Sequence, residues 1–95
     1  EPFLWGRELA VIANKAASRG MNIMTYTGFT YEHLLKEAET EPSVRELLAA
    51  TNYLVDGRYI DARRDLNLRF RGSANQRILD ITCYPNSDRA FEIEL

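Results

Sequence analysis

The sequence predicts an α/β fold built of parallel-strand βα units, and three observations predict it. Apolar positions recur at helical spacing and lead into a β-branched and aromatic run; two further helical stretches lead into a second short apolar run; no hairpin turn joins these pieces. Helix followed by strand, twice over, is the pattern of a parallel sheet covered by helices. The 95 residues make one domain, 1–95, or part of one, with a core thin enough that only ~60 to 68% of the unfolded surface is buried.

The first helix is predicted from Phe3 to Arg19. Trp5, Leu9, Ile12, Ala13 and Ala16 form its apolar stripe, and Gly20 stops it as a C-cap. Met21 to Thr27 reads as a strand ending at Gly28. Thr30 suits the cap of a second helix, with His33 three positions on and Leu34, Leu35 and Ala38 as its stripe. Glu41-Pro42-Ser43 restarts the chain as a third helix, Val44 to Ala50, followed directly by a buried strand from Asn52 to Val55. The order is that of βα units missing their first strand. Ile60 to Leu66 is expected as a short helix, 67–76 as a loop, Arg77 to Thr82 as a strand and Phe91 to Leu95 as a half-buried edge strand beyond a turn at Pro85 to Asp88.

Composition narrows the function classes. The net charge of -2 gives no global attraction to nucleic acid or membrane, yet residues 32–46 hold five acids against two bases and residues 58–77 hold six arginines against two acids. No apolar run approaches the ~20 residues needed to span a bilayer. One cysteine, Cys83, leaves no internal disulfide and no cysteine-built metal cage, which fits a reducing, cytoplasmic setting. Cys83 is expected as a small buried apolar side chain and His33 as a surface or capping residue, so no catalytic constellation is available. The opening Glu-Pro, without an initiator methionine, reads as an internal or C-terminal fragment.

Two strand ends carry the polar residues of interest: Thr25-Tyr26-Thr27-Gly28 and Asp56-Gly57-Arg58. In a parallel sheet both open on one side, where hydroxyls, a carboxylate and a guanidinium fork can hold a polar small molecule. The same residues also end strands by ordinary turn chemistry, and the residues alone leave both readings open. The loop from Arg69 to Arg77, rich in Arg, Gly, Ser and amides, can bind phosphate or carboxylate, or its arginines can pair with Asp61, Asp65 and Asp80 on a solvated face.

LVDGRYIDARRDLNLRFRGSANQRILDI, preceded by NIMTYTGFTYEHLL and opened by EPFL, resembles the activating protein of anaerobic ribonucleoside-triphosphate reductase, a radical S-adenosylmethionine enzyme. The resemblance runs up to Ile81. It implies the later part of a partial (β/α) barrel of the radical S-adenosylmethionine type, with S-adenosylmethionine and a 4Fe-4S cluster as cofactors. Glu1-Pro2 matches the second half of a Gly-Gly-Glu-Pro motif that contacts the amino group of S-adenosylmethionine. Thr25 and Tyr26 match strand-end positions near the nucleoside; Asp56, Gly57 and Arg58 match positions lining the same ligand; Asn75 belongs to a matching loop. The family's Cys-x3-Cys-x2-Cys loop is missing, so its ligands are expected upstream. The implied partners are a glycyl-radical enzyme, the anaerobic reductase, and an electron donor such as flavodoxin.

The alternative is a small α/β module that binds a nucleotide or nucleic acid without catalysis. Only Tyr59 and Phe70 interleave with the arginines, and Asp61 and Asp65 break the positive field, which disfavours nucleic acid and assigns Arg69, Arg71 and Arg77 to a protein or cofactor interface.

Overall fold

A computed structural model of the chain describes residues 1–68 and 70–94. The chain opens as a 3-10 turn, Pro2–Trp5, and runs into helix α1, Gly6–Ala17. A Schellman arrangement ends α1: Gly20 takes φ 85°, its amide donates to Ala17 O, and the Met21 amide reaches Ala16 O. Strand β1, Met24–Tyr26, follows, then α2, Tyr31–Ala38, and α3, Pro42–Ala50. Thr30 caps α2 as its side chain predicts, Oγ1 accepting from the His33 amide at 3.2 Å. Strands β2, Tyr53–Asp56, β3, Arg77–Asp80, and β4, Phe91–Glu92, complete the sheet.

The sheet order is β1-β2-β3-β4. Parallel pairing is confined to β1 and β2, with Thr25 opposite Leu54, while β3 and β4 are antiparallel to their neighbours. This departs from the expected run of parallel units, and the connection explains it. A parallel return needs a crossover of a dozen or more residues, usually helical. Between β2 and β3 the expected helix from Ile60 to Leu66 reduces to one 3-10 turn, Asp61–Arg63, and the remainder is loop with an Arg64–Ser73 bridge. The chain therefore doubles back. The result is an α/β domain with a mixed sheet.

The α1 stripe also differs from the one the spacing suggests. Gly6, Ala10 and Ala13 are buried, whereas Trp5 and Ile12 are 64% and 63% exposed. Helix α3 lies so close that a Cβ on Gly6 would stand 2.3 Å from the Ser43 carbonyl oxygen. Side-chain size, not hydrophobicity, selects the packed face. Gly6→Ala is expected to destabilise the fold by about 1 to 3 kcal/mol through overpacking, although alanine is the better helix former by about 1 kcal/mol. A denaturation midpoint at or above the wild-type value would show that α1 and α3 are not in this contact.

The main core joins Phe3, Tyr31, Leu34, Leu47, Leu48, Leu54, Leu79 and Ile81. Val55 and Ile78, paired across β2 and β3, are buried too, so both faces of these strands are covered and their apolar runs do not alternate. Strand β3 ends two residues before the predicted Thr82, because the Asp80 carboxylate accepts from the Thr82 hydroxyl at 2.6 Å and its amide at 2.9 Å. Those bonds hold the Asp80 carboxyl below the usual range. Strand β4 is shorter and more exposed than the predicted edge strand, and Leu95 lies outside the described residues. Cys83 is exposed, not buried. Among the described residues no helix is long and apolar enough to cross a membrane.

Tyr31 is 2% exposed, and burial followed by the charge of Asp88 pushes its hydroxyl up to about 12. The folded state thus favours the neutral phenol. Its contribution is complete below the ordinary value of 10 and is lost as pH rises from there to about 12. Base titration of unfolding should show a loss of about 2 to 3 kcal/mol in that window. Tyr31→Phe should flatten the loss; an unchanged slope would refute it.

Candidate functional site

Because β1 and β2 run parallel, Tyr26-Thr27-Gly28 and Asp56-Gly57-Arg58 emerge on the same side of the sheet. A cleft of about 330 Å³ lies there, lined by Glu1, Pro2, Tyr26, Thr27, Gly28, Gly57, Tyr59 and Gln76. Glu1 is its brace. One carboxylate oxygen accepts from the Gly28 amide at 2.9 Å and the other from the Phe3 amide at 3.1 Å, while the Thr27 hydroxyl lies 3.0 Å from both. The start of the chain is thereby tied to the end of β1.

The second wall is held from the far loop. Gly57 has φ 99°, a left-handed conformation that L side chains rarely adopt, and its amide donates to Phe29 O at 2.8 Å. Gln76 Nε2 donates to Gly57 O at 3.0 Å, while its Oε1 accepts from the Gly72 and Ser73 amides at 2.9 and 3.1 Å. Asn75 Nδ2 donates to Arg58 O at 2.8 Å. Thus the RGSANQR loop clasps the backbone of the DGR turn. The Asn75 side-chain oxygen is buried with no partner among the described residues.

Two residues expected to face a ligand turn inward instead. Thr25 is 8% exposed, with its hydroxyl 2.8 Å from that of Thr51. Asp56 is 1% exposed and its carboxylate is fully engaged. It accepts from the Tyr31 amide at 2.7 Å, at the positive first turn of α2, and from Arg77 Nε at 3.0 Å; Arg77 Nη2 also reaches it and bonds Glu32 at 2.8 Å. Bonding to Asp56, then to Glu32, raises the Arg77 guanidinium above its ordinary value, and Arg77 in turn lowers Glu32. Asp56 stands opposite Arg77 in the β2–β3 register, so this clamp joins three elements.

Of the residues singled out from sequence, then, Glu1, Pro2, Tyr26 and Gly57 line the cleft, Asn75 supports it, and Thr25 and Asp56 belong to the interior. Arg58 is exposed, and its guanidinium has no partner among the described residues. Thr27 and Gly28 belong to the strand end expected to carry the site and Gln76 to the matching loop, whereas Tyr59 is expected only as an aromatic among the arginines. Of the arginines expected at an interface, Arg71 donates to Gln76 O at 2.9 Å, Arg77 serves the clamp, and Arg69 lies outside the described residues. What the cleft leaves open to a ligand is chiefly the rings of Tyr26 and Tyr59, 47% and 46% exposed, with the Arg58 fork close in sequence. Exposed aromatic rings in a cleft suit a planar base.

Compared with family models, residues 1–79 match the one described as a 4Fe-4S single cluster domain. Comparison with curated proteins and with solved structures gives no match. A cluster of that type takes three or four thiolates. The chain has one cysteine, exposed and outside the matched span, and among the described residues no three His, Cys, Asp or Glu side chains stand together as metal ligands. These residues do not fit the cluster.

Proposed function

Because the chain belongs to the 4Fe-4S single cluster domain family, we propose that it is the ligand-binding part of a radical S-adenosylmethionine activating enzyme, one that generates the glycyl radical of anaerobic ribonucleoside-triphosphate reductase. The observation that carries this reading is the clasp. LVDGRY and RGSANQRI, the two stretches on which the resemblance rests, meet through Asn75, Gln76, Gly57 and Arg58 at the carboxyl ends of parallel strands. Their co-occurrence has a mechanical reason: one motif holds the other open toward the cleft.

In this reading the cluster's thiolates are supplied by residues other than these 95. The chain's own part is to wall the nucleoside end of S-adenosylmethionine, with Tyr26 and Tyr59 against the base and Arg58 toward a carboxylate. The outer edge of β1 supports the barrel assignment. It has no strand partner among the described residues, and an apolar groove of about 420 Å³ lined by Leu9, Ile12, Ala16, Ile23 and Met24 runs beside it, suited to a further βα unit.

Calorimetry with S-adenosylmethionine on the full-length protein tests the site. Arg58→Ala should cost about 1.5 to 3 kcal/mol of binding, the usual loss for a hydrogen bond to a charged group. Unchanged affinity with the fold intact would sink the assignment. Anaerobic reconstitution of the 95-residue chain with iron and sulfide checks the other half: no stoichiometric cluster should form. The exposed run of Arg58, Arg63 and Arg64 beside Tyr59 favours a second reading, a nucleotide-binding module without catalysis. Tight binding of ADP, with none of S-adenosylmethionine, would select it.

A further inference from the structure

Away from the strand-end cleft, a cavity of about 380 Å³ opens between α2 and the C-terminal segment. Tyr31, Glu32, Arg77, Leu79, Asp88 and Glu92 line it. Tyr31 is almost wholly buried, yet its hydroxyl has no hydrogen-bond partner among the described residues. Buried hydroxyls are ordinarily satisfied, so an orphan in a cavity wall points to a missing partner.

The charges around it specify that partner. Arg77 is paired with Asp56 and Glu32. Asp88 and Glu92 have no ion-pair partner among the described residues, and the nearby Arg89 guanidinium lies over the Phe91 ring, 5.7 Å from its centroid. The cavity is therefore acidic. It is not a metal cage, because no three such side chains stand together as ligands among the described residues. A cation that spreads several N–H donors over a wider surface meets the arrangement.

We infer that this cavity receives the ammonium or guanidinium head of an organic cation, with Asp88 and Glu92 accepting its N–H groups and the Tyr31 hydroxyl completing the set. The volume is within the range of small-ligand pockets, and buried Leu79 offers an apolar wall to the ligand's carbon chain. The inference is independent of the radical-enzyme reading, since it uses none of the strand-end residues.

The test is an NMR titration of the ¹⁵N-labelled 95-residue chain with agmatine, which carries both cationic heads and no carboxylate. Saturable shifts should appear at Tyr31, Asp88 and Glu92, and glutarate should produce none. Tyr31→Phe keeps the ring in the core and should weaken binding about tenfold, and Asp88→Asn, at an exposed position, should do the same without risk to the fold. No saturable shift, wild-type affinity retained in either variant, or competition by glutarate would overturn the proposal. Tighter binding of an arginine-containing tripeptide amide than of agmatine would identify the source as a protein side chain; the reverse order would identify a free amine. Either order supports the site.

Discussion

Asp56→Ala should lower folding stability by about 3 to 5 kcal/mol, the cost of breaking a buried ion pair from one side. The reason lies in what the carboxylate holds. At 1% exposure it bonds the Tyr31 amide, one of the unpaired donors at the start of α2, and the Arg77 guanidinium across the sheet. Its removal leaves the Tyr31 amide without its acceptor and the partly buried Arg77 with Glu32 alone. A domain of this size has a total of only about 5 to 15 kcal/mol, so the variant should unfold at a much lower urea concentration. Arg77→Ala should cost at least as much, since it leaves the buried Asp56 carboxylate without a counter-ion, held only by the Tyr31 amide. The double variant should fall short of the sum of the two singles, because the residues share one interaction. An Asp56→Ala loss below about 1 kcal/mol would mean that the clamp is solvated. This expectation also bears on function: loss of S-adenosylmethionine binding in Asp56→Ala would report unfolding, which is why Arg58 is the better probe of the cleft.

Leu48→Ala should cost about 2 to 5 kcal/mol, the range for deleting a leucine from a core that cannot collapse onto the void. Leu48 is 0% exposed on α3 and belongs to the cluster that includes Leu34, Leu54 and Ile81. It occupies the layer between the helices and the sheet. Leu66, 86% exposed, is the matched control, and Leu66→Ala should change stability by no more than about 0.5 kcal/mol. Chemical denaturation of the pair separates a packed core from a loosely collapsed one. Equal effects at the two positions would be incompatible with this packing.

Features whose causes lie within a few residues are legible from the chain alone. Thr30 caps α2 through His33, Gly20 ends α1 by taking the left-handed conformation that glycine allows, and Pro42 begins α3 because its missing amide is unneeded there. The apolar runs around Leu54 and Ile78 were legible as buried strands for the same local reason. Whatever depends on a distant partner is set by packing across the fold. Trp5 and Ile12 lost the packed face of α1 to Gly6 and Ala10 because α3 came close enough to admit only small side chains, a fact carried by Ser43 and by nothing in α1. Asp56 reads in sequence as a polar group at a strand end, free to meet a ligand. Arg77, 21 residues on, and the Tyr31 amide, 25 residues back, bring it inward instead. Glu1 was legible as a site residue, but its bonds to Thr27 and Gly28 make it the brace of the cleft. Local sequence sets which conformations a segment prefers; only folding fixes which donor each buried acceptor meets, because that pairing is chosen by desolvation across the whole chain.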